Sequence, residues 1–107
     1  MKRLIAIAAL MCGTAQAEFF TGNDLLGKIN GESVVDRMIG LGYVMGVYDV
    51  GAGAIHCPPD HVTAGQVRDM VKGHLEVSAS TRHLAADTHV RYVLSTAWAC
   101  KKKGGGV

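Results

Sequence analysis

The stretch Thr63–Glu76, with the sequence TAGQVRDMVKGHLE, decides the fold class of this 107-residue chain. Thr63 and Gln66 have the spacing of a capping box, in which the threonine hydroxyl accepts from the backbone amide three residues on. The residues after this cap recur at the spacing of a single helix face. That face consists of Val67, Met70, Val71, His74 and Leu75. The sequence therefore predicts an amphipathic helix over residues 64–77.

Three further helices are predicted from helical periodicity and from the glycine-rich or polar breaks between the segments. They cover residues 23–29, 32–50 and 85–99. Thr21 or Asn23 can cap the first of them, and Glu32 or Ser33 begins the second. The fold class predicted from these segments is all-α, a compact bundle of about four helices.

The second predicted helix carries no charge from Met38 to Tyr48. These eleven residues are too few to span a membrane, so the pattern predicts a helix buried on every side. Gly42 and Gly46 are four residues apart and share one face, which we expect to contact another helix closely in the core. The apolar side chains of the first turns are expected to face inward as well. These are Val34, Val35, Met38 and Ile39.

The first seventeen residues have the organisation of an export signal. Lys2 and Arg3 precede the apolar run from Leu4 to Met11, and the small-x-small pattern at residues 15–17 predicts cleavage before Glu18. The apolar run is too short for a membrane anchor. A lipidated Cys12 is the alternative, but the methionine before it fits a lipobox poorly. The predicted organisation is a signal peptide at 1–17, a helical domain at 18–100 and a disordered basic, glycine-rich tail at 101–107.

Export has consequences for charge and for the cysteines. Without Lys2 and Arg3 the chain has equal numbers of basic and acidic residues, and with the basic tail set aside its folded body is acidic, which argues against nucleic-acid binding. The mature chain keeps two cysteines, Cys57 and Cys100, in a compartment where thiols oxidise. They are predicted to form a structural disulfide. A redox-active pair is the alternative, but the Cys-x-x-Cys spacing is absent.

No pattern in the sequence predicts catalysis, a metal or a cofactor. His56, Cys57 and His61 lie close together, but they are fewer than the four ligands of a structural zinc site. His74 is predicted to be a half-buried packing residue, since it lies on the apolar face of its helix. The serines lack an activating motif, and no paired carboxylates suit acid–base chemistry. The chain is therefore predicted not to be an enzyme.

Several segments together resemble a known family. These segments are TGNDLL at 21–26, LGYVMGVYD at 41–49, HCPPDHVTAGQVRD at 56–69 and the cysteine after the last helix. In this order they are similar to the Rap/Tai family of immunity proteins, over most of the chain from Phe20 to Cys100. The chain lacks the second cysteine pair that is common in that family. The corresponding places hold Lys28, Ile29 or Asn30 in the first helix region and Gly40 before the Leu-Gly-Tyr segment.

The resemblance implies a small, helical, periplasmic protein, often a homodimer, that binds a peptidoglycan amidase delivered by type VI secretion and blocks its active site. The connection from Ser78 to His83 is the predicted partner-binding segment, because it should project between two packed helices. Its candidate contact residues are Ser78, Ser80, Thr81, Arg82 and His83. An ordinary solvated turn is the alternative for this segment, and the turn from His56 to His61 is the alternative site. The alternative function is a periplasmic housekeeping or stress protein with a chaperone-like activity and no toxin partner.

Overall fold

A computed structural model describes residues 19–101, which form four α-helices and no strand. The helices are α1 (Gly22–Ile29), α2 (Val34–Gly51), α3 (Ala64–Glu76) and α4 (Ala86–Ala97). Each helix contacts the other three, which confirms the predicted all-α bundle. The predicted signal peptide at 1–17 and residues 102–107 of the predicted tail lie outside the described residues.

Side-chain caps fix where the first three helices begin. Thr21 caps α1 with a complete capping box: its hydroxyl accepts from the Asp24 amide at 3.1 Å, and the Asp24 carboxylate accepts from the Thr21 amide at 3.0 Å. The structure thus chooses Thr21 over Asn23. The hydroxyl of Thr63 accepts from the Gln66 amide at 3.1 Å at the start of α3, as predicted. The helix α4 has no side-chain cap and is shorter at both ends than predicted.

All four helices contribute apolar side chains to one core. Its buried members are Leu25, Ile29, Val44, Val67, Val71, Leu75, Ala86, Val90, Val93 and Leu94. The predicted inward face of α3 is confirmed, because Val67, Val71 and Leu75 are completely buried and Met70 and His74 lie half-buried at its edges. The core therefore follows the helical periodicity read from this segment.

The prediction that α2 is buried on every side is wrong. Among its residues only Gly40, Val44 and Gly51 are buried, while the side chains of Val35 and Met38 are 65% and 66% exposed. The first-turn face assigned to the core therefore lies at the surface. The physical reason is size: α1, α3 and α4 have 8, 13 and 12 residues and cover only one side of the 18-residue α2.

The predicted helix contact at Gly42 and Gly46 is also wrong. Both glycines are exposed, and a Cβ atom added at either would have no neighbouring atom within 4 Å. The close approach is at Gly40, where an added Cβ would lie 3.0 Å from the Ile29 nitrogen and 3.2 Å from its Cα. Two residues correspond to about 200° around a helix, so Gly40 faces α1 when Gly42 faces away.

The disulfide between Cys57 and Cys100 is present, as predicted, with the two Cα atoms 4.8 Å apart. It joins the segment before α3 to the segment after α4. The backbone amide of Cys57 also donates to the Trp98 carbonyl at 2.8 Å, so the two segments are held by a hydrogen bond as well. Within the described part of the chain, no helix combines the length and the apolar character needed to cross a membrane.

Candidate partner-binding loop

The segment 77–85, called here the α3–α4 loop, lies against the start of α1. Two backbone hydrogen bonds hold it there: the Gly22 amide donates to the Leu84 carbonyl at 2.9 Å, and the Asn23 amide donates to the Arg82 carbonyl at 2.8 Å. Both amides belong to the first turn of α1, whose N–H groups have no partners within the helix. The loop therefore satisfies the helix end and is fixed by it.

The Arg82 side chain holds the loop in place with two hydrogen bonds to neighbouring helices. This side chain is half-buried, its Nη1 donates to the Leu75 carbonyl at 2.9 Å, and its Nε donates to the Asn23 side-chain oxygen at 3.0 Å. The guanidinium thus joins the last turn of α3, where a cation is favourable, to the first turn of α1. Arg82 was predicted to contact a partner, but the structure uses its charge within the domain.

Two histidines, His74 on α3 and His89 on α4, contact each other, and His89 also contacts the loop. The ring nitrogens His74 Nε2 and His89 Nδ1 are 2.9 Å apart, and His89 Nε2 lies 2.9 Å from the Thr81 carbonyl oxygen. His89 is only 5% exposed. Burial, and then the neighbouring His89, lower the pKa of His74 below its ordinary value, so the His74 ring favours the neutral form. No sequence pattern indicated this pair, because its members are fifteen residues apart on different helices.

The five predicted contact residues lie on one loop but have different roles. Ser80, Thr81 and His83 are exposed. Ser78 is half-buried, and its hydroxyl donates to the His74 carbonyl at 2.6 Å, so it fixes the beginning of the loop as Arg82 fixes the end. The sequence pattern assigned no role to Leu84. This residue is 44% exposed and lies in the same loop as the three exposed polar residues.

A cavity of about 390 Å³ lies between the exposed face of α2 and α4. The exposed glycines Gly42 and Gly46 form its floor, and Val50 and Ile55 stand beside them. The ion pair between Asp87 and Arg91, with 2.9 Å between the charged atoms, borders the cavity on the α4 side. This is a mainly apolar surface with one charged border.

The alternative site, the turn from His56 to His61, has little to offer a partner at its first residue. His56 is 1% exposed, its ring lies 4.9 Å from the Tyr48 ring, and neither ring nitrogen has a hydrogen-bond partner in the described structure. Burial lowers its pKa, which keeps the ring neutral. Cys57 is in the disulfide, and residues 19–101 bring together no group of three or more histidine, cysteine or acidic side chains that could hold a metal.

Comparison with known proteins identifies the family. No curated protein matches the chain significantly. The family model described as Rap1a immunity proteins matches residues 21–100. This range begins at Thr21, the cap of α1, and ends at Cys100, the second half of the disulfide, so it covers the whole helical bundle. The chain therefore belongs to the Rap1a immunity protein family.

Proposed function

We propose that this protein is a periplasmic immunity protein that binds a peptidoglycan amidase effector of type VI secretion and blocks its active site. The observation that carries the proposal is the family match across the complete bundle. The protein acts by binding and has no catalytic activity. One serine, Ser78, lies 3.5 Å from a histidine ring, but its hydroxyl proton is directed to the His74 carbonyl, so this pair is not an activated nucleophile.

The exposed part of the α3–α4 loop is the proposed effector-binding site. Its residues Ser80, Thr81 and His83 offer hydrogen-bond donors and acceptors, and Leu84 adds an apolar contact. The loop is already tied to α1 and α3, so binding would require little further ordering of the backbone. A polar loop whose backbone is already ordered suits an enzyme cleft.

The loop is tested with a double variant, Ser80→Ala/His83→Ala, which leaves the internal contacts of Arg82 intact. We expect the Kd for the purified amidase to rise at least tenfold, which corresponds to about 1.4 kcal/mol. Thr96→Ala, an exposed change in α4, is the matched control and should bind like the parent. Unchanged affinity of the double variant would refute the loop as the site, whereas an unmodified protein that binds no amidase would refute the proposed function itself.

The proposed location depends on cleavage of the signal before Glu18. The mass of the protein isolated from the periplasm should correspond to residues 18–107 without modification. A species that begins with a lipid-modified Cys12 would contradict both the cleavage site and a freely diffusing periplasmic protein.

We propose further that two copies associate through the outer face of α2. Five residues line this stripe: Val35, Ile39, Gly42, Gly46 and Val50. In an antiparallel two-fold pairing centred beside Gly42, Ile39 of each copy would lie over Gly46 of the other, so that a side chain fills the gap that the glycine leaves. The exposed apolar residues along this face of α2, which carries no charged residue from Met38 to Tyr48, support the pairing.

Light scattering during size-exclusion chromatography tests the homodimer. The unmodified protein should have the mass of two chains, and Ile39→Lys should have the mass of one while keeping its helical content. Val77→Lys is the matched control, because Val77 is 83% exposed but lies outside α2. A monomeric parent protein at micromolar concentration would contradict the pairing.

The same apolar face favours the second candidate function, a chaperone-like protein that binds unfolded chains. A large exposed apolar surface is the feature such a protein needs. The two functions are distinguished by adding the protein to a reduced, aggregating client. The immunity function predicts no suppression of aggregation at equimolar protein, and efficient suppression that is lost in Ile39→Lys would favour the chaperone.

A further inference from the structure

The contact between His74 and His89 has one consistent arrangement of protons. Because the Thr81 carbonyl can only accept, His89 must carry its hydrogen on Nε2, which leaves Nδ1 of the neutral ring as an acceptor. His74 must then donate from Nε2 to His89 Nδ1 across 2.9 Å. The free nitrogen of His74 is Nδ1, which lies 3.5 Å from the Ser78 hydroxyl oxygen. The pair and the loop thus form a directed chain of hydrogen bonds.

This series of hydrogen bonds is compatible with one added proton but not with two. A proton on His74 Nδ1 leaves the hydrogen bonds from His74 to His89 and from His89 to Thr81 in place. A second proton would have to go to His89 Nδ1, which would set two N–H groups against each other across 2.9 Å and bring two cations together with ring centres 5.1 Å apart. His89 also has little room to move, since a Cβ added at Gly22 would lie 2.9 Å from its Cδ2.

The surroundings supply no counter-charge for a protonated pair. The titratable and charged groups on the adjoining elements are Asp24, Glu76, Arg82, His83, Asp87, Arg91 and Tyr92. Among the described residues no carboxylate is hydrogen bonded to either ring: Asp24 caps α1, Asp87 pairs with Arg91, and Glu76 is exposed. The guanidinium of Arg82 adds a fixed positive charge to the loop, and the ring of Tyr92, 5.3 Å from the His74 ring, is uncharged.

A cavity of about 320 Å³ adjoins the pair and provides space into which one ring can move. It is lined by His74, Thr81, Leu84, Thr88, His89 and Tyr92, so it lies between the loop and α4. His74 is half-buried and His89 is buried. Separation of the rings would therefore move His74 outward and remove the support beneath the loop.

We propose that the His74–His89 pair is an acid-sensitive latch that holds the α3–α4 loop when neutral and releases it when both rings are protonated. The latch does not depend on what the loop binds. Burial and the neighbouring ring lower the pKa of His74, so the latch is closed at pH 7.5. It opens on acidification only when the pair takes up a second proton, because the 2.9 Å contact between the ring nitrogens has room for one hydrogen.

Amide hydrogen exchange resolved by NMR tests the latch on the protein without any partner. The reporter is the Leu84 amide, which donates to the Thr81 carbonyl at 2.9 Å. Its protection, corrected for the intrinsic pH dependence of exchange, should fall at least tenfold between pH 7.5 and 5.0, while the amides of Val71 and Val93 in the core stay protected. Equal protection of Leu84 at the two pH values would overturn the proposal.

Two variants assign the response. His74→Gln keeps a donor toward His89 but cannot take up a proton, so its loop should stay protected at pH 5.0. His83→Gln removes an exposed imidazole from the same loop and should respond like the parent. An acid response that persists in His74→Gln would overturn the assignment. The ring nitrogens of the unmodified protein give a second test, because double protonation of the pair with Leu84 still protected would refute the latch.

Discussion

The contrast between Gly40 and Gly46 gives a sharp test of how α2 packs. Both are helical glycines in α2, and only the surroundings of their absent Cβ atoms differ. At Gly40 an added Cβ would lie 3.0 Å from the Ile29 nitrogen, 3.1 Å from its Cγ1 and 3.2 Å from its Cα. Two of these atoms are backbone, so α1 itself would have to move. At Gly46 there is no atom within 4 Å.

The expected free energies follow from two opposing effects. Replacing a helical glycine with alanine stabilises the helix by about 1 kcal/mol when the new methyl group meets nothing. Forcing an extra carbon into a packed contact costs about 1–3 kcal/mol. In the monomeric Ile39→Lys background, where no second copy covers Gly46, Gly46→Ala should therefore raise the free energy of unfolding by about 1 kcal/mol. The free energy of unfolding of Gly40→Ala should be about 1–3 kcal/mol lower than that of Gly46→Ala, because both variants gain helix propensity and only Gly40→Ala is overpacked.

Urea denaturation followed by circular dichroism measures this difference, and thermal melting provides a check. For a domain of this size, about 1 kcal/mol corresponds to a shift of about 4–8 °C in Tm. A Gly40→Ala protein that is as stable as Gly46→Ala would show that α1 and α2 are not in close backbone contact at Ile29. The packing of α2 described above would then be wrong.

Three further predictions concern stability. The double variant Cys57→Ala/Cys100→Ala should lose about 2–4 kcal/mol of unfolding free energy, and an unchanged urea midpoint would contradict a structural role for the disulfide. Because burial lowers the pKa of His56, the unfolded chain binds more protons than the folded protein at acid pH. The contribution of His56 to stability is therefore complete above pH 6.5 and declines as the pH falls through the lower pKa of the folded protein. The urea midpoint should therefore be lower at pH 5.0 than at pH 7.5, and the difference should shrink in His56→Phe; an equal difference in that variant would contradict the assignment to His56. Gly22→Ala should lower Tm and expose the α3–α4 loop, since its Cβ would lie 2.8 Å from the Arg82 carbonyl oxygen. Gly27→Ala in the same helix should raise Tm, because its Cβ would have no atom within 4 Å. The reverse order of the two Tm values would contradict the docking of the loop on α1.

The features that the sequence predicted correctly depend on short-range interactions. The cap at Thr63 is a hydrogen bond between residues three apart, and the buried face of α3 repeats within a few residues. The disulfide between Cys57 and Cys100 was predictable for a different reason: the predicted export and cleavage left only one possible intramolecular pair. None of these predictions required knowledge of how the helices cross.

The predictions that failed depended on neighbours distant in sequence. The uncharged stretch of α2 from Met38 to Tyr48 does not indicate which side faces the core, so the buried Gly40 could not be distinguished from the exposed Gly42. The inward role of Arg82 comes from a hydrogen bond to Asn23, a residue 59 positions away. Pattern and composition located the candidate loop, but only the packed structure separates its exposed residues from those that hold it.

The most direct test of the proposed function is an inhibition assay with a peptidoglycan amidase effector of type VI secretion. Purified mature protein is added in increasing amounts while cleavage of peptidoglycan peptides is measured. We expect the amidase activity to fall in proportion to the added protein and to disappear when one molecule of this protein is present for each enzyme molecule. Full amidase activity in the presence of excess folded protein would contradict it.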